Sequence, residues 1–437
     1  MILSDLVGII ADDLTGANDT AVQFHKHGAS TKILLDSEDT PKIKAGVEVW
    51  ALSSESRNVP PDVAVGRVER AIETFTSNFS FDYYYKKIDS TLRGHIALET
   101  LTMLNILEYD AAIIIPAFPQ EGRITVGGYH LVKGMPIGRT EIAIDPHSPI
   151  TESHVPTLLQ NQLGEESSDI VGTIDLRTVM NGAGPILVKI NELIKEGKQL
   201  IVADTVSITD IEQLVLAITK SDKKLLPTGT AATAQVLAKY WLAGIEKEEP
   251  SVNIEKLPKL IVSGTATQIT ANQIEKLEQS DDVENINFIP LKTDDILEGV
   301  TDELVERIVN NLQSGVTVCV HTSNLIANFD GFSEDSLNAE LTKEKLAYMI
   351  TDYLGELTKK VTEKINCILV TLGGETSYKC CKAINSNELQ LIDEVIPAIP
   401  LCMDINRKWI ITKSGNLGNT NTIIEILQYL DKHTEKL

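Results

Sequence analysis

Gly8-Ile-Ile-Ala-Asp-Asp-Leu-Thr-Gly-Ala-Asn-Asp19 carries an apolar strand straight into two carboxylates, a hydroxyl and a glycine turn. Residues 6–11 form a continuous apolar run bounded by polar residues, the pattern of a buried strand, and residues 17–26 continue with apolar positions at helical spacing. Asp12 and Asp13 therefore fall at the carboxyl end of a first strand. In open α/β sheets that rim is where ligands bind. Asp13 or Thr15 can cap the helix, since a short oxygen-bearing side chain satisfies the free N–H groups there. A cap does not need the second acid.

Working outward, residues 31–36 and 47–53 read as strands and 62–79 as an amphipathic helix, giving a β-α-β pattern. The loop between them, Ser53-Ser-Glu-Ser-Arg-Asn-Val-Pro60, holds Arg57 and ends in a proline-fixed helix start. Residues 83–89 are the next strand, which delivers Lys86-Lys-Ile-Asp-Ser-Thr-Leu-Arg-Gly94 ahead of a helix at 96–107. Lys87 and Arg93, which bracket the Asp89 carboxylate, and the hydroxyls of Ser90 and Thr91 offer donors to an anionic ligand, and the helix start after Gly94 adds backbone N–H groups. Residues 111–117 form an apolar strand followed by the proline- and glycine-rich stretch Pro116 to Gly128, read as a shaped loop in which Arg123 could clamp a carboxylate. A long section with little helix or strand signal follows, including Asp145-Pro-His-Ser-Pro149, and either covers the site as a lid or packs on the sheet. Strands at 199–203 and 225–229 and helices at 208–218 and 231–242 close this half.

Residues 244–253 are charged, contain a proline and lack an apolar period, as inter-domain linkers do. The expected division is a domain at 1–243, a linker at 244–258 and a second α/β domain at 259–437. The second half repeats the alternation, with strands near Leu260, Ile286, Val316 and Ile368 and helices near Gln268, Asp302, Lys345 and Ser377. Three of its turns carry glycines: Ser263-Gly264, Gly373-Gly374-Glu375-Thr376, and Gly415-Asn-Leu-Gly418. Glycine lets main-chain N–H groups approach phosphate oxygens, so the three could together cradle a polyphosphate. No Walker A loop, dinucleotide G-x-G-x-x-G or protein-kinase signature set is present.

Composition narrows the partners. The net charge of −23 argues against a nucleic-acid or anionic-membrane surface, which needs a basic face. Five cysteines without a C-x-x-C suggest reduced thiols in a cytoplasm instead of a disulfide framework or zinc ribbon. No run reaches about 18 apolar residues, and no export signal is read. The histidines are scattered, so no metal ligand set is named.

The motifs together resemble those of the four-carbon acid sugar kinase family. Ala11-Asp-Asp-Leu-Thr-Gly-Ala17, Lys87-Ile-Asp-Ser-Thr-Leu-Arg-Gly94, Pro116-Ala-Phe-Pro with Gly122-Arg123, and Asp145-Pro carry the likeness in the first half. Asp204-Thr205, Ser263-Gly264, Leu372-Gly-Gly-Glu-Thr376 and Lys413-Ser-Gly415 extend it to essentially the whole chain. Three departures stand out: Gly415-Asn-Leu-Gly418 where Gly-Gly-Phe-Gly is common, Asn419 after it where an acid is common, and Ile-Thr after Arg123 where Thr-Thr is usual.

The resemblance implies two α/β domains with an active-site cleft between them, the first binding a sugar acid and the second ATP. It implies transfer of a phosphoryl group to the terminal hydroxyl of threonate, erythronate or 3-oxo-tetronate. Phosphoryl transfer is mainly positioning and charge neutralisation. Asp12 is accordingly expected to act as base, with Asp13 as runner-up, and Arg93, Arg57 and Lys87 to hold the acid's carboxylate. Asp89 and Ser90 would bind hydroxyls, and the nucleotide would lie over Ser263, Gly264, Gly373 to Thr376, Gly415 and Gly418. Mg²⁺ should arrive with the nucleotide. A homo-oligomer is left open. The readings from other classes are a nicotinamide-dependent oxidoreductase of hydroxy acids, against which the missing fingerprint speaks, and a non-catalytic sugar-acid sensor.

Overall fold

The computed structural model describes residues 6–37, 46–144, 148–242, 252–264, 267–323, 325 and 342–434. The chain divides into two compact units, Met1–Glu248 and Glu249–Leu437. Residues 243–251 and Asp145-Pro-His147 lie outside the described residues, and with them most of the expected linker and the Asp145-Pro motif.

The N-terminal unit contains β1 (Val7–Ala11), β2 (Thr31–Leu34), β3 (Val49–Ser53), β4 (Tyr83–Lys87) and β5 (Ala111–Ile115). A hairpin sheet of β6 (Arg123–Val126), β7 (Tyr129–Val132) and β8 (Met135–Pro136) follows, then β9 (Val171–Ile174), β10 (Leu200–Ala203) and β11 (Leu225–Gly229). Eight of these strands pair in the order β2-β3-β1-β4-β11-β5-β10-β9, all parallel. Parallel strands are covered on both faces, which is why β1 and β5 read as unbroken apolar runs and every residue in them is buried. The covering helices are α1 (Leu14–His25), α2 (Pro61–Asn78), α3 (Ile96–Ile106), α4 (Val155–Leu163), α5 (Leu176–Met180), α6 (Ala183–Lys195), α7 (Ile208–Thr219) and α8 (Ala231–Trp241). Trp50, Val68, Phe75, Met103 and Leu159 form part of one core between strands and helices.

β1 is the strand at which the order of connection reverses: β2 and β3 lie to one side, β4 and its successors to the other. Ligands in such sheets bind beyond the carboxyl ends of the strands at that reversal. Asp12 and Asp13 follow β1 directly.

The section with little sequence signal is largely structured and belongs to the sheet and its cover. β9 adds an edge strand, and Val155, Leu158 and Leu159 of α4 pack into the core. The stretch read as a shaped loop is instead a hairpin, with Arg123↔Val132 and Val126↔Tyr129 in register. Its two-residue turn is Gly127-Gly128, with φ of +58° and +77°, the left-handed values that a tight hairpin of this hand requires.

The C-terminal unit contains β12 (Lys259–Ser263), β13 (Ile286–Pro290), β14 (Thr317–His321), β15 (Ile368–Leu372), β16 (Glu388–Ile396), β17 (Ile399–Asp404) and β18 (Trp409–Lys413). Its helices are α9 (Gln268–Glu278), α10 (Thr293–Glu298), α11 (Asp302–Gln313), α12 (Lys343–Thr362), α13 (Gly374–Ala383) and α14 (Thr422–His433). The order β13-β14-β12-β15-β18 is parallel, and β17 and β16 follow antiparallel. Here β12 is the strand of reversal, so Ser263 and Gly264 hold the place in this unit that Asp12 and Asp13 hold in the other. Ile261, Val370, Leu401, Ile411 and Ile426 belong to its separate core.

Candidate active site

In the N-terminal unit the expected residues converge from three strand ends. Asp12 is buried, with 3% of its surface exposed, yet both of its oxygens are matched by Arg57: Nε donates to Oδ2 at 2.8 Å and Nη2 to Oδ1 at 3.0 Å. The third nitrogen of that guanidinium, Nη1, donates to Asp13 Oδ2 at 2.6 Å. Burial by itself would raise the Asp12 pKa, but the Arg57 charge and hydrogen bonds, with Lys86 and Lys87 nearby, outweigh it and hold the carboxyl below the usual range. Burial would likewise lower the Arg57 pKa, and Asp12, Asp13 and Asp89 raise it instead. Arg57 was expected on the ligand's carboxylate, and the structure gives it the protein's own acids as partners.

Asp13 is the helix cap. Its Oδ1 accepts from the Gly16 amide and its Oδ2 from Thr15 Oγ1, each at 2.7 Å. Gly16 has no room for a side chain: a Cβ there would fall 2.7 Å from Asp13 Oδ1 and 3.0 Å from Lys87 Nζ. Lys87 is thereby placed at the start of α1, where its ammonium also donates to Ile88 O at 2.9 Å. Beneath it Lys86 and Glu99 form a fully buried ion pair at 2.7 Å.

The Asp89 loop is knitted in the same way. Asp89 Oδ2 accepts from Thr91 Oγ1 at 2.5 Å and from Arg93 Nε at 2.6 Å. Burial opposes the charge, but Arg93 and Arg57, with these hydrogen bonds, hold the carboxyl well below the usual range. Gly94 has φ +88°, and a Cβ there would lie 3.4 Å from the Arg57 backbone and 3.6 Å from Asp12 Oδ2. The loop after β4 is therefore packed onto the first.

The hairpin sheet supplies the third approach. Arg123 Nη1 donates to Ser90 Oγ, and His130, fully buried, bonds Ser90 O through Nε2 at 2.9 Å and Thr125 Oγ1 through Nδ1 at 3.1 Å. Burial pushes the His130 pKa down to about 4, so the ring is neutral at pH 7. Sequence reading missed His130, since a lone histidine carries no motif. Asp204 was read as part of a family motif, and its contacts are structural. It accepts from the amides of Gly127 and Gly128 at 2.8 Å each and from Leu176 at 3.1 Å, pinning the hairpin turn.

In the C-terminal unit the three glycine turns end β12, β15 and β18, which are adjacent in the sheet. A Cβ on Gly264 would lie 2.8 Å from Thr376 Oγ1, so the first two turns touch. Gly373, at φ +112°, donates its amide to Lys413 O at 2.7 Å, which joins the second turn to the third. Ser377 Oγ donates to Gly373 O at 2.8 Å and steadies the start of α13, in whose first turn Glu375 and Thr376 lie. Lys413, fully buried at the end of β18, has its pKa lowered to about 7 by burial. Among the described residues no group of three or more His, Cys, Asp and Glu side chains is placed to hold a metal ion, and no helix is long and apolar enough to cross a membrane.

Family models match both halves: a sugar-binding N-terminal domain over residues 7–237 and a nucleotide-binding C-terminal domain over residues 260–423. The chain is thus a protein that pairs a sugar-binding with a nucleotide-binding half. It is 28% identical to a D-erythronate kinase of Heliobacterium modesticaldum, the alignment covering 97% of each chain. It is 27% identical to a D-threonate kinase of Salmonella typhimurium over 97% of this chain and 98% of the relative, and 25% identical to a 3-oxo-tetronate kinase of Haemophilus influenzae over 94% and 97%. A Haemophilus influenzae crystal structure shares the fold at TM-score 0.72 and 23% identity, covering 97% of this chain and 99% of its own. The chain belongs to the four-carbon acid sugar kinase family, a family of phosphotransferases.

Proposed function

We propose that the protein transfers the γ-phosphoryl group of ATP to the terminal hydroxyl of a four-carbon sugar acid, D-threonate, D-erythronate or 3-oxo-tetronate. The observation that carries this reading is the Asp12–Arg57 pair at the reversal strand of the N-terminal unit. A buried carboxylate held ionised by an arginine can accept the hydrogen bond of an attacking hydroxyl and orient it, and phosphoryl transfer asks little more of its base. Asp13, tied to the start of α1, is the runner-up.

Arg93 and Lys87 take the acid's carboxylate, while Arg57 holds the catalytic acids in place. Asp89, Ser90 and Arg123 present polar atoms to the hydroxyls, and Gly94 lets the loop come close. The nucleotide lies over Ser263, Gly264, Gly373, Gly374, Glu375, Thr376, Gly415 and Gly418, supported by the contiguity of the three turns. Mg²⁺ would come as the nucleotide's counter-ion, and no protein ligand is assigned to it.

The test is ATP consumption against a panel of four-carbon sugar acids and their stereoisomers, with phosphorus NMR of the product. One acid should drive turnover and yield a phosphate ester on the terminal carbon. A panel in which no acid raises ATP consumption would overturn the reading, and an ester on another carbon would move the acceptor.

A further inference from the structure

Helix α9 lies beside the last glycine turn, and its side chains grip that turn by its carbonyl oxygens. Thr267 Oγ1 and Thr270 Oγ1 both donate to Gly415 O, at 2.7 Å each. Gln273 Nε2 donates to Leu417 O at 3.0 Å and to Asn419 O at 2.8 Å. Lys413 Nζ donates to Ser414 O at 2.8 Å and to Thr270 Oγ1 at 3.1 Å. Thr270, Gln273 and Lys413 are fully buried, so the grip comes from the interior.

Any loop needs partners for its buried carbonyls. This arrangement does more, because it draws the carbonyls of Ser414, Gly415, Leu417 and Asn419 toward one set of donors. In a trans peptide the C=O and the following N–H point in opposite directions. The amides of Asn416, Gly418 and Thr420 are therefore turned away from α9. All three residues are exposed, and their amides meet no acceptor among the described residues. Main-chain N–H groups gathered on one side of a turn make an anion-binding concavity. Gly418 sits at φ +87°, and a Cβ there would fall 2.2 Å from Thr422 Oγ1, so the turn keeps this form only with glycine. Leu417, packed against the core, anchors it from below.

We propose that Thr267, Thr270, Gln273 and Lys413 are positioning residues that aim the amides of Asn416, Gly418 and Thr420 at a phosphate group of a nucleoside polyphosphate. The proposal rests on the nucleotide reading above and adds to it which part of the nucleotide the turn holds and which hidden side chains set its shape. These side chains act through the backbone and do not touch the ligand. Lys413 Nζ, bonded to both Ser414 O and Thr270 Oγ1, ties this donor set to the end of β18.

The full-length chain with Thr270→Val or Gln273→Met tests this by titration calorimetry with ATP, inorganic tripolyphosphate and adenosine, alongside steady-state kinetics. ATP and tripolyphosphate should each bind at least tenfold more weakly, with KM for ATP raised to match. Adenosine affinity and KM for the acid should stay within twofold, and Thr270→Ser, which keeps the hydroxyl, should restore polyphosphate binding. A folded Thr270→Val chain with native affinity for both polyphosphates would overturn the proposal, as would an equal loss for adenosine. Circular dichroism verifies folding, and should Thr270→Val fail to fold, Thr267→Val at a less buried position carries the same test. A native chain that binds tripolyphosphate but consumes ATP with no sugar acid would sink the kinase reading and not this one.

Discussion

Arg57 closes on Asp12 with two hydrogen bonds, Nε to Oδ2 at 2.8 Å and Nη2 to Oδ1 at 3.0 Å, and spends its remaining terminal nitrogen on Asp13. The guanidinium fork matches a carboxylate as an ammonium cannot. Arg57→Lys is expected to lower kcat/KM for the acid at least about tenfold, equivalent to roughly 1.4 kcal/mol. Arg57→Ala leaves a buried carboxylate without its partner and should destabilise the chain by on the order of 3 to 5 kcal/mol. Steady-state kinetics and denaturant melts check both. Native values in Arg57→Ala would mean that the pair neither orients nor stabilises.

Asp12 and Asp13 can be separated by amide substitution. Asparagine caps helices about as well as aspartate, so Asp13→Asn should fold normally and retain substantial turnover. With Asp12 as the proposed base, Asp12→Asn removes the charge that would accept the attacking hydroxyl, and its kcat should fall on the order of a hundredfold or more. The reverse pattern would transfer the base to Asp13, and two active variants would end this mechanism.

Arg93 distinguishes acid binding from nucleotide binding. If Arg93 takes the acid's carboxylate as proposed, Arg93→Lys should lower kcat/KM for the acid at least about tenfold, because a point charge replaces a guanidinium fork. KM for ATP should hold steady, since the glycine turns belong to the C-terminal unit. Weaker ATP with unchanged acid kinetics would put this arginine on the phosphates.

His130 gives the stability a pH dependence of known sign. Its folded pKa is about 4, against an ordinary 6.5. Between those values the unfolded chain takes up a proton that the folded chain refuses, so stability falls as pH drops from 6.5 to 4. The loss attributable to this ring is on the order of 3 kcal/mol at most. His130→Gln should flatten that window in urea melts at pH 7, 5.5 and 4.5. An unchanged slope would show that the ring titrates normally.

Much of this was legible in the chain because its signals are local. The strand before Asp12, the cluster from Lys87 to Gly94 and the glycine turns each declare themselves within about ten residues. What stayed hidden depends on contacts far along the chain or on interrupted patterns. Arg57 finds Asp12 across 45 positions, which no spacing rule records. Helix α6 buries Ile186, Ile190 and Leu193 at helical spacing, but it opens on Gly182-Ala-Gly-Pro185, which reads as a turn. The alternation in β16 is broken by register shifts at Leu391/Asp393 and Glu394/Ile396, so its pairing with β17 is masked. The Gly127-Gly128 hairpin did carry a signal, a two-glycine turn between short β-prone runs.

The Asp204 contacts also set an order of assembly. The carboxylate that holds the Gly127 and Gly128 amides lies 77 and 76 residues further along the chain, so on a ribosome the hairpin is made long before its clasp. Contacts of such separation close late, because the loop entropy must be met before they form. Arg123 and His130 can meet Ser90 while synthesis is still under way, but the Gly127-Gly128 turn between them gains its Asp204 clasp only once β10 has emerged. A nascent chain stopped before residue 204 would therefore hold the hairpin without the carboxylate that pins its turn.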